Sequence, residues 1–154
     1  MKVIDAKGYL DALCELTQQG KTVTTIVTGG SMEPFLSSNR DSVMLENPKG
    51  DLVRGDIVLF CRINGDYVLH RIHHITSEGY YLVGDRQRVI EGPVKLKDIK
   101  AVVKDASHKG RWIGKKSFRW WFFKAVWLRI IPLRNTICAV YGCLRRGRRK
   151  AFEE

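Results

Sequence analysis

Two apolar runs, Ile57-Val58-Leu59-Phe60-Cys61-Arg62-Ile63 and the stretch from Asp66 to Ile75 (DYVLHRIHHI), are separated by little more than Asn64-Gly65. That dipeptide constrains the fold more than any other feature. A tight hairpin turn needs positive φ at its central residues, which Asn and Gly adopt at low steric cost, so the two runs must fold back on one another. Glu78-Gly79 makes a second turn, which returns Tyr80-Tyr81-Leu82-Val83 toward Gly84-Asp85. The β-branched run Thr22 to Thr28 and the segments Asp41 to Glu46 and Asp98 to Asp105 read as further strands. Arg86 to Lys97 reads as irregular, because Gly92-Pro93 opposes regular structure. Ahead of the strands, Asp5 is an N-cap candidate. Ala6, Tyr9, Leu10, Leu13, Cys14 and Leu16 recur at helical spacing up to a closing Gly20. The pattern predicts a mainly antiparallel β domain preceded by one short helix.

At 154 residues the chain suits one domain with a core. Its formal charge of +11 is unevenly distributed. Residues 1–108 hold 14 Lys+Arg and 14 Asp+Glu, whereas residues 109–154 hold 13 and 2. The sequence therefore divides into a neutral body, 1–108, with its core about 21–105, and a basic aromatic tail, 109–154. Within the tail, Phe118 to Leu133 (FRWWFFKAVWLRIIPL) carries three of the four tryptophans. Arg129 inside this stretch and Pro132 near its end argue against a transmembrane helix. Trp and Phe among cations fit a helical segment lying on an anionic membrane surface, so residues 118–150 are expected to make that contact. The competing reading packs the tryptophans on the β body and leaves the basic end solvated. The N-terminus, charged from Lys2 onward, lacks the apolar core of a signal peptide. The expected location is cytoplasmic, peripheral to the inner face of the membrane. Cys14, Cys61, Cys138 and Cys143 have neither zinc-site spacing nor a neighbouring histidine, and are expected to be buried free thiols.

Two residues stand out chemically. Gly29-Gly30-Ser31-Met32-Glu33-Pro34 places a hydroxyl on a glycine-led turn directly after a strand, where a nucleophile would be exposed. Along Asp66 to Ile75, period two puts Val68, His70, Ile72 and His74 on one face and Tyr67, Leu69, Arg71 and His73 on the other. Adjacent His73 and His74 thus point apart and no carboxylate or thiol lies at ligand spacing, so no metal or cofactor is expected.

The ordered set Gly-x-Ser-Met-x-Pro (Gly29 to Pro34), Gly-Asp-Ile-Val (Gly55 to Val58), His-Arg-Ile (His70 to Ile72) and Gly-Asp (Gly84-Asp85) resembles the type I signal peptidase superfamily over roughly residues 21–105. Histidine in place of lysine is similar to its archaeal and endoplasmic-reticulum subtype. The lack of an N-terminal anchor is similar to small stand-alone bacterial members. The resemblance implies an antiparallel, hairpin-rich fold of the signal-peptidase and SOS-repressor kind, with Ser31 as nucleophile and His70 as general base. It further implies Asp85 as the orienting acid, with Glu91 second, standing where the subtype has another aspartate. For the oxyanion it points to the turn, through the Ser31 amide. Gly29 stands where many relatives carry a hydroxyl, which leaves Thr28 or another amide, with Gly30 part of the same turn. Met32 and Pro34 are expected to shape the substrate cleft, and Asp56 a structural turn.

The expected activity is serine endopeptidase cleavage of a peptide or protein precursor, such as a leader peptide, near the membrane. Two alternatives are weighed against it. One is a self-cleaving repressor-like peptidase, for which the base should be lysine and the leading segment too short for a helix-turn-helix domain. The other is a non-catalytic basic module whose tail binds lipid or nucleic acid. The neutral body lacks an extended basic groove, so no specific nucleic acid is expected.

Overall fold

The computed structural model describes residues 6–49 and 51–150, with side chains up to Leu144. It is a mainly antiparallel β structure with a short N-terminal helix and C-terminal helices. Helix α1 (Ala6–Gln18) is followed by β1 (Val23–Ile26), β2 (Ser42–Glu46), β3 (Ile57–Cys61), β4 (Tyr67–Thr76) and β5 (Gly79–Val83). Then come β6 (Glu91–Val94), β7 (Ile99–His108) and β8 (Arg111–Gly114). The strands form one eight-stranded sheet in the order β1-β2-β7-β3-β4-β5-β6. The ten residues of β7 pair with β2 along one edge, and with β3 and then β8 along the other. The Asn64-Gly65 hairpin sets the β3–β4 register, Val58 opposite His70 and Leu59 opposite Leu69. Gly65 takes the positive φ of 88° that its turn demands.

Two apolar clusters cover the two faces of the sheet. The larger collects Cys14 of α1, Met32, Phe35 and Leu36 of the serine turn, Ile57 and Leu59 of β3, and Val103 of β7. The smaller gathers Val58, Phe60, Ile72, Leu82, Ile99 and Val102. Strand alternation produces the split: Leu59 and Leu69 face the first, Val58, Val68 and Ile72 the second.

One expectation needs correction, and two features go beyond the sequence. The segment 86–97 is not irregular throughout, since β6 runs through Gly92-Pro93 and a 3-10 turn follows at Leu96–Asp98. An edge strand tolerates proline because its outer side needs no N–H. Strand β8 was not anticipated, and it makes the 108/109 boundary a hairpin turn at Lys109-Gly110. In the aromatic segment, two of the three tryptophans pack on the β body, as the competing reading has it. Helix α2 (Phe118–Phe122), a π-helical stretch to Trp127 and a 3-10 turn (Ile131–Leu133) lead into α3 (Arg134–Lys150). Trp120 and Trp127 are only 1% and 3% exposed, and both belong to the larger core with Phe123. Burying Trp120 and Phe123 against Phe35, and Trp127 against Phe123, gains more than leaving them at a surface, at roughly 25 cal/mol per Å² of apolar area. Phe118 and Trp121 remain exposed, as do Leu133, Val140, Tyr141 and Leu144. Among the described residues no helix is long and apolar enough to cross a membrane. All four cysteines are free; only Cys14 is fully buried, and Cys143 is exposed.

Candidate functional site

Ser31 begins a single helical turn after Gly29, whose φ of 79° suits a residue without Cβ. The Leu36 amide donates to the Met32 carbonyl at 2.9 Å, and Met32, Phe35 and Leu36 are buried beneath the turn while Ser31 stays half-buried. Thr28 and Gly29 are exposed just ahead of it, and Gly30 and Pro34 are half-buried. Arg119 of α2 donates from Nη2 to the Pro34 and Phe35 carbonyls at 2.7 and 2.8 Å, closing the far end of the turn. On the other side, the Arg86 amide donates to the Ser31 carbonyl at 2.9 Å.

This last contact explains Gly84. A Cβ at that position would stand 2.7 Å from the Ser31 carbonyl oxygen and 3.0 Å from Gln87 Oε1. The glycine is required because the two backbones touch. Gly84→Ala should push the serine turn outward. The strain should cost about 1–3 kcal/mol of stability. Thermal unfolding of the variant checks this.

Beneath the turn lies Arg71. Its guanidinium sits 4.8 Å from the centre of the Phe35 ring and donates to the Gly55 carbonyl at 3.0 Å. It also forms a two-pronged pair with Asp85 at 2.9 and 2.8 Å, both side chains fully buried. The expected role of Asp85 as the acid that orients His70 is therefore corrected: its carboxylate is taken up by Arg71, on the opposite face of β4 from His70. Asp85 still favours the charged form of His70 through space. The pair links the Gly-Asp motifs at 55 and 84 to the His-Arg-Ile motif, and Asp56 makes the expected turn by accepting from the Val53 amide at 3.0 Å. Arg71→Met would leave Asp85 charged, buried and unpaired. It should cost about 3–5 kcal/mol, most of it restored by Arg71→Met combined with Asp85→Leu. Urea-unfolding midpoints of the two variants test this.

His70 points into the smaller core, 5.8 Å from the Phe60 ring between centroids and 0% exposed. Neither ring nitrogen has a hydrogen-bond partner. Nδ1 lies 3.3 Å from Glu91 Oε1, close enough for charge interaction but without hydrogen-bond alignment. Glu91, at the start of β6, is thus the carboxylate that meets the imidazole, which reverses the expected order of the two acids. Arg62 also grips Glu91 in a fork at 2.8 and 2.5 Å, and this bond holds its pKa below the usual range. Burial pushes His70 down to about 4, with Glu91 and Asp85 opposing and Arg62 reinforcing the shift. The imidazole is consequently neutral at pH 7.

Ser31 and His70 share no hydrogen bond. They are linked only indirectly: extending the Arg71↔Val83 register brings Gly84 alongside His70, and Gly84 touches Ser31. The structure does not bring the two together: the serine turn packs on the face of β4 that carries Arg71, whereas His70 points to the other face, toward Phe60 and Glu91.

The C-terminal segment fixes that loop. Trp127 Nε1 donates to the Asp85 carbonyl at 2.7 Å. Arg134, fully buried, donates to the Gly84 and Gln87 carbonyls at 2.9 Å each and to the Trp127 carbonyl. The sequence assigned no role to Arg62, Trp127 or Arg134, nor to Arg71, although Arg71 stands inside the His-Arg-Ile motif. Arg71 and Arg134 had one sequence signal, a cation inside an apolar stretch, which in a core needs a buried acceptor set. His73 and His74 lie apart from this site, and the expectation that they point apart is corrected: a bulge between Ile72 and His74 breaks the alternation, so their Nδ1 atoms meet at 2.8 Å, with His74 stacked on Tyr81. A second imidazole–carboxylate pair was also missed: His108 Nδ1 is 3.0 Å from buried Asp41. Burial opposes the Asp41 charge, but donors from Arg40, Ser37, Lys109 and His108 hold its pKa well below the carboxylate range. Among the described residues no His, Cys, Asp or Glu cluster could hold a metal ion.

Compared with family models, with characterised proteins and with solved structures, the chain gives no match.

Proposed function

We propose that the chain is a serine endopeptidase in which Ser31 is the nucleophile, His70 the general base and Glu91 the acid that orients it. The observation that carries this reading is the His70 ring: a neutral imidazole, fully buried, with both nitrogens unpartnered and a carboxylate beside Nδ1. A buried donor–acceptor left unsatisfied costs about 1–3 kcal/mol and calls for a role. Glu91 beside Nδ1 favours the tautomer protonated there, which leaves Nε2 as the proton acceptor.

In the reaction, Ser31 Oγ gives its proton to Nε2 and bonds to the substrate carbonyl carbon. Backbone amides of the turn, that of Ser31 among them, meet the developing oxyanion. The imidazolium then protonates the leaving amine as the C–N bond breaks, and water repeats the sequence to release the acyl group. Bringing Oγ onto Nε2 requires the serine turn to rearrange past Gly84 to the face of β4 that carries His70. Asp85 acts at one remove: it neutralises Arg71, the platform under the turn.

The substrate is a peptide or precursor protein, and the reaction is placed at an anionic membrane surface. Leu133, Val140 and Leu144 support the location, since they recur at helical spacing and are exposed, beside the basic run at 145–150. Flotation with phosphatidylglycerol vesicles, compared with neutral ones, tests it. The activity is tested by affinity capture in the native host: Ser31→Ala should retain an uncut precursor that wild-type protein shortens on addition. Identical peptide profiles from the two proteins would sink the reading.

A further inference from the structure

A cavity of about 620 Å³ lies beside the serine turn, and neither Ser31 nor His70 lines it. It begins at Glu33 and Pro34, just past the nucleophile, and runs between α2 and α3. Its walls are apolar and aromatic, with Phe122, Trp127, Ile137 and Tyr141 on facing sides. Its rim is cationic, with Arg40, Arg86, Lys109 and Arg119 against a single acid, Glu33. Arg40 is occupied by Asp41 and Arg86 by Glu33. Lys109 and Arg119 have no carboxylate partner among the described residues, and Arg119 is half-buried with its Nε lacking any hydrogen bond. A partly desolvated cation without an anion is a cost that an incoming carboxylate offsets. Volume and lining fall within the range of sites that bind small ligands or short chain segments.

We infer that this cavity is an extended subsite which takes an acidic, apolar segment of the peptide substrate, its apolar side chains against Phe122 and Tyr141 and its carboxylates at Lys109 and Arg119. The assignment rests on the peptidase reading. Continuity favours a peptide over a lipid, because Arg86 spans both places: its amide holds the Ser31 carbonyl and its side chain reaches Glu33 on the cavity wall. A chain lying across Ser31 runs on into the cavity.

Binding to full-length Ser31→Ala measures the subsite without chemistry. The probes are a fluorescein-labelled decapeptide of Leu, Phe and Glu, and its counterpart with Lys in place of Glu. The acidic peptide should bind at least about 10-fold more tightly, a difference of ~1.4 kcal/mol. Lys109→Ala and Tyr141→Ala should each weaken it about 5- to 10-fold. Arg111→Ala, which removes the same charge from outside the cavity, should leave the affinity unchanged. Equal affinity for the two peptides, or equal losses in Lys109→Ala and Arg111→Ala, would overturn the inference. So would phosphatidylglycerol vesicles that displace the acidic peptide and lose binding on Lys109→Ala, which assigns the cavity to lipid. Cavity-dependent binding of the acidic peptide, with no cleavage of any peptide by wild type, would uphold the subsite as a peptide site and remove the peptidase reading.

Discussion

A chain ended at Gly110 should fail to fold. Such a cut looks harmless in the sequence, where it separates a neutral body from a basic tail, but it removes Trp120, Phe123 and Trp127 from the larger core. Truncating one buried aromatic costs about 3–5 kcal/mol, and three together match or exceed the ~5–15 kcal/mol that holds a typical domain folded. The cut also removes Arg119 from the end of the serine turn, and Trp127 and Arg134 from the Gly84-Asp85 loop. The expected result is a protein without a cooperative thermal transition, and with apolar dye binding at room temperature. A truncated chain that melts within a few degrees of the full-length protein would show that the C-terminal aromatics are dispensable.

His70→Gln should lower kcat by roughly 10⁴-fold, and Ser31→Ala by at least as much, because members of such a unit do not contribute additively. Glu91→Gln should retain more activity, since it leaves the imidazole in place and loses only its orienting charge. The wild-type pH profile carries the same information. A general base must be neutral to act, so activity falls as pH drops through the pKa of the base. With His70 held down to about 4, kcat/KM should stay level well below the ~6.5 of a free imidazole. Stability moves in the same direction: the unfolded chain binds the His70 proton more readily, so folding weakens as pH falls from ~6.5 toward 4. Rates must therefore be referred to the folded fraction. An acid limb with its midpoint near 6.5 would assign the base to a more exposed imidazole.

The strands that local chemistry dictates were legible in the sequence, and those set by context were not. Asn64-Gly65 marked the β3–β4 hairpin, but only Gly65 takes positive φ: its amide donates to the Arg62 carbonyl, so the turn runs over Arg62 to Gly65 and is not a two-residue one. β6 was hidden by Gly92-Pro93, since a proline excludes a central strand but not an edge one. The tryptophans were ambiguous for a different reason: aromatic rings beside arginines suit a membrane interface and a core equally, and only the position of Phe35 decides for Trp120 and Phe123. At the site, period two correctly separated His70 from Arg71, but which of Asp85 and Glu91 meets which cation depends on tertiary packing. Asp85 follows a glycine that touches the serine turn and meets Arg71. Glu91 enters through an edge strand and meets Arg62 and His70.

The central claim, that Ser31 cuts peptide bonds, is tested most directly by exposing a mixed peptide library to full-length wild type and to Ser31→Ala and sequencing the new termini by mass spectrometry. Wild type alone should make a set of new termini, enriched in acidic and apolar residues on one side of the cut. The same termini from both proteins, or none from either, would contradict it.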